Sequence, residues 1–262
     1  MLRRSRVFAP DIAEILAFCA EDPVERVYLE DAARRGRGRF VASGGRSRLS
    51  ALCHLGANVV PSGSGCGAFA GAVAKASARM VIGEEGAVGD LWAAVSSRLP
   101  RPQTDRSGQP VYVLDEAPEP GATALREATL ADLDLLVPAC ARMHEEEIGQ
   151  DPLCRDPEGF RWRTQSQIGE GRSWVWTETG TILFKAEASA WTPQAVQIQQ
   201  VWVDPSARLR GYAKRGMRDL CRRLLREVPR VCLFVRADNA AAIRVYESIG
   251  MRRTIAYRSL IF

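Results

Sequence analysis

The stretch Gln199-Gln200-Val201-Trp202-Val203-Asp204-Pro205-Ser206-Ala207-Arg208-Leu209-Arg210-Gly211-Tyr212-Ala213 constrains this chain more than any other. A strand runs to Val203 and is stopped by Asp204-Pro205, because proline cannot donate to a strand ladder. A helix then opens at Arg208-x-x-Gly211-x-Ala213. Gly211 and Ala213 carry little bulk and let the backbone approach a ligand closely. The first N–H groups of a helix have no internal acceptor and stand at the positive end of its dipole. With Arg208, Arg210 and Lys214 around them, they read as a seat for a pyrophosphate.

The surrounding pattern predicts the scaffold. Asp115 to Gly121, with two prolines and a glycine among acids, reads as a linker, giving parts 1–115 and 122–262 joined by 116–121. In the second part we expect a strand at 124–126 and a helix over 130–147, opened by Thr129 with Asp132 three residues later. A helix over 157–169 and strands at 173–177, 181–191 and 196–203 follow. The remainder reads as a helix at 211–227, a strand at 231–235, a helix at 239–248 and a strand at 254–261. Strands alternating with helices imply a mixed α/β sheet with at least one parallel pair and helical cover. The first part reads similarly. It has helices at 11–20 and 24–33, strands at 38–42 and 49–60, and a small-residue helix at 68–78. A strand at 80–82, a helix at 87–97 and a strand at 111–114 complete it. The order resembles that of the second part, so a duplicated architecture is one reading of the chain.

Composition narrows the partners. Hydrophobic residues make up 46% of the 262, without an apolar run long enough to span a membrane. Asp11 and Glu14 interrupt the segment after the basic start at 1–6, so we expect no signal peptide and a cytoplasmic protein. Seven cysteines and two histidines lack the spacing of a zinc site or a disulfide framework, so no metal is expected and the cysteines read as small buried hydrophobes. The net charge of +5 is unevenly spread: residues 1–120 carry +1, 121–207 carry −6 and 208–262 carry +10. A basic final quarter calls for an anion. Arg222, Arg223 and Arg226 read as the solvated face of a helix rather than a nucleic-acid surface, since no groove-reading module is present.

A second motif lies downstream. Asn239 is placed to cap a helix, and Ala242, Tyr246 and Ile249 share its inward face. With Arg208-x-x-Gly211-x-Ala213 and Asn239-x-x-Ala242-Ile243-x-x-Tyr246-x-x-x-Gly250-Met251 in this order, residues 121–262 resemble the GNAT N-acetyltransferase superfamily. The resemblance implies the GNAT acyl-CoA N-acyltransferase fold, acetyl-CoA as co-substrate and a primary amine as acceptor, with a homodimer left open. It implies that the backbone of Val201, Trp202 and Val203 pairs with the pantetheine arm. The N–H groups of Leu209, Arg210, Gly211, Tyr212, Ala213 and Lys214 would bind the pyrophosphate, and Asn239 would sit near the pantetheine. Tyr246 would protonate the departing thiolate. A phenol of pKa about 10 is protonated at neutral pH and suits that role.

The base is less legible. The position used for a basic Glu in histone-acetylating relatives falls near Gln197, which cannot serve. Glu187 and the run Glu145-Glu146-Glu147, with Glu146 as its representative, are the candidates. The acidic middle stretch fits a cationic amine such as a lysine, a protein N-terminus or a small polyamine. The missing base at Gln197 leaves a non-catalytic acyl-CoA sensor as the alternative. Residues 1–115 resemble, through Leu52 to Pro61, Val81-Ile82-Gly83 and Leu91-Trp92, a domain of unknown function that precedes GNAT domains. Without Arg-x-x-Gly-x-Ala, this part reads as a degenerate GNAT-like half that covers the acceptor cleft. Its Gly63-x-Gly65-x-Gly67 reads as a flexible turn.

Overall fold

Local signals open most elements. The computed structural model describes residues 7–45 and 48–262; the basic start at 1–6 lies outside them. The N-terminal half runs α1 (Ile12–Glu21), α2 (Val27–Arg34), β1 (Arg39–Gly45), β2 (Arg48–Leu55), β3 (Asn58–Gly63), α3 (Ala70–Val73), β4 (Met80–Glu84), α4 (Glu85–Val95) and β5 (Thr104–Leu114). The C-terminal half runs β6 (Arg126–Glu127), α5 (Leu133–Ile148), α6 (Pro152–Arg155), α7 (Pro157–Gly169), β7 (Ser173–Glu178) and β8 (Thr181–Trp191). It continues through β9 (Val196–Val203), α8 (Tyr212–Leu224), β10 (Val231–Phe234), α9 (Ala240–Ser248) and β11 (Arg252–Ile261). Thr129 and Asp132 form a reciprocal capping box ahead of α5, and Asp156 with Pro157 starts α7. Apart from β6 and the short α6, the order of the two halves is the same. Where β6 pairs with β7, the N-terminal half has a single bridge from Phe8 to Ala42 of β1.

The halves share one 11-stranded sheet in the order β1-β2-β3-β4-β11-β5-β10-β9-β8-β7-β6. Each half has given its last strand to the other. β11 pairs antiparallel with β4, from Tyr257 opposite Glu84 to Ile261 opposite Met80. β5 pairs antiparallel with β10, from Val111 opposite Phe234 to Leu114 opposite Val231. β5 and β11 then pair with each other at the centre. Residues 116–121 connect the halves in sequence, but the sheet has no break there. This segment is strapped to α8: Asp219 accepts from the N–H groups of Gly121 and Thr123 at 2.7 and 2.8 Å, and Arg222 donates to the Pro118 carbonyl at 2.7 Å. A Cβ on Gly121 would lie 2.0 Å from the Arg215 carbonyl oxygen, so only glycine allows this contact.

Helices cover both faces of each half. In the C-terminal half, Leu136, Cys140 and Ile168 from α5 and α7 pack on Val175, while Met217, Leu220 and Tyr246 from α8 and α9 pack on Phe184 and Ile198. The N-terminal half repeats this, with Phe18 and Leu29 on one face and Phe69 and Leu91 on the other. Six of the seven cysteines are buried, and Cys154 is exposed. Between the halves, Val27 packs with Val113, Ala190 and Cys232. Beside this contact Asp31 is buried and accepts from Arg172 Nη2 at 2.7 Å and from the Trp191 N–H at 3.1 Å. Glu170 extends the clasp to Arg35 and Arg37 at 2.5 and 3.0 Å.

Three expectations change. The strand expected over 49–60 is a hairpin, β2 and β3, that turns at Gly56, whose missing side chain leaves room for the His54 ring. The helix expected over 68–78 is a 3-10 turn and one short α-turn, because the chain must return at once to pair β4 beside β3. The short strand expected at 111–114 extends back to Thr104, since β11 supplies a partner along that polar stretch.

Candidate active site

The site begins where two parallel strands separate. β9 and β10 pair only at Val196 opposite Val231 and Gln197 opposite Cys232, then diverge. The β10-facing edge of residues 198–203 is left without a strand partner. Unpaired backbone amides inside a sheet call for a partner, and an extended amide-bearing ligand can supply it as an added strand. Gln200 sits on this edge at φ +54, a left-handed conformation that costs a non-glycine residue energy. It lies at the shift in β8–β9 register between Lys185 and Glu187, where β9 carries an extra residue.

Beyond β9 the chain reaches α8 through Leu209 at φ +62 and Gly211 at φ +82, the latter being the N-cap. The first backbone hydrogen bond of this turn runs from the Arg215 N–H to the Gly211 carbonyl. Among the described residues, the N–H groups of 209–214 have no backbone acceptor. With Lys214 they stand at the start of α8, where the sequence implies an anion seat. On the far wall, Asn239 caps α9 by accepting from the Ala242 N–H at 3.1 Å. Tyr246 is buried, 6.1 Å from the Tyr112 ring between centroids. Burial, then the charges of Glu147 and Cys221, pushes its phenol above the ordinary range. Among the described residues its hydroxyl has no hydrogen-bond partner.

Most of these groups border one cleft of about 870 Å³. Val201, Trp202, Val203, Arg208, Leu209, Gly211, Tyr212, Ala213, Lys214, Asn239 and Tyr246 line it. Arg210 does not; its guanidinium lies over the Tyr212 ring at 5.8 Å. The Trp202 indole faces α5 and leaves only its backbone for the cleft. Gln197 lines the cleft and donates from Nε2 to Ser189 Oγ at 2.8 Å.

The four candidate acids fall in different places, and Glu145 does not line the cleft. Glu187 does not line the cleft. It projects to the α5 face of β8, where it pairs with buried Lys185 at 2.8 Å and accepts from Cys140 Sγ at 3.2 Å. The alternation of side chains along a strand decides this, and it places Glu187 behind the sheet. Glu146 lines the mouth but is held by Arg208, whose Nη2 donates to both its oxygens at 2.7 and 2.9 Å. Glu147, which the sequence offered only within the run of three, also lines the cleft. The residue is exposed overall, but the protein around its carboxyl raises its pKa, against the pull of Arg106, Lys185 and Arg236.

The N-terminal half supplies the rest of the wall, including Tyr28, Asn58, Met80, Ile82, Arg106 and Gln109. Nothing in the sequence of 1–115 links these residues to the second motif; only the shared sheet brings them there. The same half has the matching splay between β3 and β4, paired only at Asn58 opposite Met80 and Val59 opposite Val81. Its glycine turn is already satisfied: the Gly67 N–H donates to Asp90 Oδ2 at 3.0 Å. A carboxylate in that position repels a phosphate. The end of β3 is also covered, because buried Ser62 donates to Glu25 at 2.7 Å and Arg26 Nε donates to both.

Sequence and structure comparisons agree with this geometry. Residues 140–251 match the model of the acetyltransferase (GNAT) family, and residues 38–136 match a domain of unknown function, DUF4081. No curated protein matches the chain. Among solved structures, a GCN5-related N-acetyltransferase from Sphaerobacter thermophilus is similar at 20% identity and TM-score 0.58, covering 99% of this chain and 95% of that one. An acetyltransferase of the GNAT family from Colwellia psychrerythraea is similar at 11% identity and TM-score 0.60, covering 98% and 99%. A tandem GNAT protein from the clavulanic acid biosynthesis pathway is similar at 13% identity and TM-score 0.56, covering 98% of each. At these identities the likeness concerns the fold.

Proposed function

We propose that this chain, whose residues 140–251 match the acetyltransferase (GNAT) family model, transfers an acetyl group directly from acetyl-CoA to a primary amine. The observation that carries this reading is one cleft bordered by the free edge of β9, by Leu209 and Gly211 to Lys214 at the start of α8, and by Tyr246. In this reading the pantetheine amides pair with the edge at Val201 to Val203, and the pyrophosphate rests on residues 209–214. The amine nitrogen attacks the thioester carbonyl, a C–N bond forms and the C–S bond breaks. The thiolate takes its proton from Tyr246. The amine proton leaves to Glu147 or Glu146, directly or through water. Glu147 is the better acceptor, since its raised pKa brings it closer to neutrality. These two carboxylates also suit the approach of a protonated amine.

The N-terminal half acts as the acceptor wall and holds no cofactor of its own. Its Asp90-bound glycine turn and its covered β3 support that role. The test is release of CoA thiol from acetyl-CoA across a panel of lysine peptides, N-terminal peptides and small amines, corrected for hydrolysis. Amine-dependent release is expected. Acetyl-CoA binding without amine-dependent release from any panel member would instead favour the sensor reading.

A further inference from the structure

One cation in the cleft is placed differently from the others. Arg208 is taken by Glu146, and Arg236 by Asp238 through two bonds of 2.9 and 2.5 Å. Lys214 and Arg244 stand on α8 and α9, the helices that carry the two cofactor motifs. Arg106 comes instead from β5, in the N-terminal half. Val111 of β5 is opposite Phe234, the last residue of β10, so residues 104–110 project past the point where β10 ends. There Arg106 reaches across to α5 and donates from Nη2 to the Glu147 carbonyl at 2.7 Å. That single bond holds the guanidinium beside the candidate base.

Among the described residues no carboxylate lies within ion-pair distance of Arg106, and its Nε and Nη1 have no acceptor. Burial, then the charge of Arg236, lowers its pKa against the opposing pull of the Glu147 and Asp238 charges, neither of which is within ion-pair distance. Around it the wall contributed by the N-terminal half carries the apolar side chains of Tyr28, Val60, Met80 and Ile82. An arginine always carries its charge, and its planar fork can hold a carboxylate through two parallel hydrogen bonds.

We propose that Arg106 anchors a carboxylate of the acceptor, so that the acceptor is a small amine bearing both a carboxylate and an apolar body. This rests on the amine-acylation reading. It narrows the acceptor from amines in general to amino-acid-like ones. The anchor would set the distance between the carboxylate and the amine, and so present the nitrogen beside Glu147. Arg106 is therefore a specificity-determining residue, and its loss is expected in KM more than in kcat.

The test compares leucine with leucinamide on the full-length wild-type protein, Arg106→Gln and Arg106→Lys, by CoA release. The ratio of kcat/KM on leucine to that on leucinamide should fall roughly 10- to 100-fold in Arg106→Gln, the worth of a charge-assisted hydrogen bond, and recover in part in Arg106→Lys. Because both amines are compared on every protein, their different basicities cancel. A ratio that does not change overturns the proposal, as does a loss of acetyl-CoA affinity in Arg106→Gln, which would make Arg106 a phosphate contact. A second readout needs no turnover: thermal stabilisation of the CoA-bound protein by N-acetyl-leucine over N-acetyl-leucinamide. Carboxylate-dependent stabilisation that Arg106→Gln abolishes supports the anchor even if no amine is acetylated, in which case only the transfer reading falls. Equal stabilisation by the two compounds overturns the anchor alone.

Discussion

Tyr246→Phe is expected to lower kcat by about 100-fold or more, the usual worth of a positioned general acid, while acetyl-CoA affinity stays within about threefold. The phenol is buried against Tyr112 and Glu147 influences it, yet its hydroxyl has no hydrogen-bond partner among the described residues. It is therefore free to donate to a leaving group in the cleft. Phenylalanine keeps the ring packing and removes only the proton. The pH dependence has a definite sign. Because the phenol pKa is raised, the acid form persists past the ordinary phenol range, and wild-type kcat should not fall through loss of this proton below about pH 10. The variant keeps the rising limb set by the base. Steady-state CoA release from pH 6 to 10 checks both points, and a loss under about threefold removes Tyr246 from the acid role.

Asp31→Ala is expected to destabilise the folded protein by roughly 3 to 5 kcal/mol, as when one partner of a buried ion pair is removed. Asp31 is 5% exposed, and Arg172, its closest partner, has a side chain 11% exposed. Alanine leaves that guanidinium without its 2.7 Å acceptor and frees the Trp191 N–H. Glu170, 3.7 Å from Arg172, can offset part of the loss, which places the effect nearer the lower figure. Because β5 and β11 are exchanged between the halves, the damage should spread to both. Urea unfolding followed by tryptophan fluorescence and by circular dichroism should give one coincident transition at lower urea. Two separated transitions, or a loss under about 1 kcal/mol, would contradict the description of the junction.

The local parts of this architecture were readable from the chain. Thr129 with Asp132, Asn239 and Gly211 each start an element by a short-range hydrogen bond or backbone conformation, and each does so in the structure. What was not readable depends on distant pairing. Nothing around Thr104 or Arg252 says which half each strand will join, because strand partners are chosen by long-range packing. Arg106 and the N-terminal wall were hidden for the same reason. Glu187 shows a different limit: acid chemistry on a strand beside the cleft counts for nothing when the side chain alternates to the other face.

The charge asymmetry also took on a different meaning. Much of the basic final quarter is used internally. Arg215 and Arg222 bind linker carbonyls, Arg223 pairs with Glu127 and Arg252 with Asp115. Among the described residues, what lines the cleft without an ion-pair partner is Lys214 and Arg244 from this quarter and, from the other half, Arg106.

Calorimetric titration of acetyl-CoA into the full chain tests the central claim most directly. One molecule should bind per chain, and Gly211→Val should weaken it at least about tenfold, since φ +82 strains any β-branched residue at the anion seat. Two molecules per chain, none, or one whose affinity ignores Gly211→Val would contradict a single cofactor site at the splay of β9 and β10.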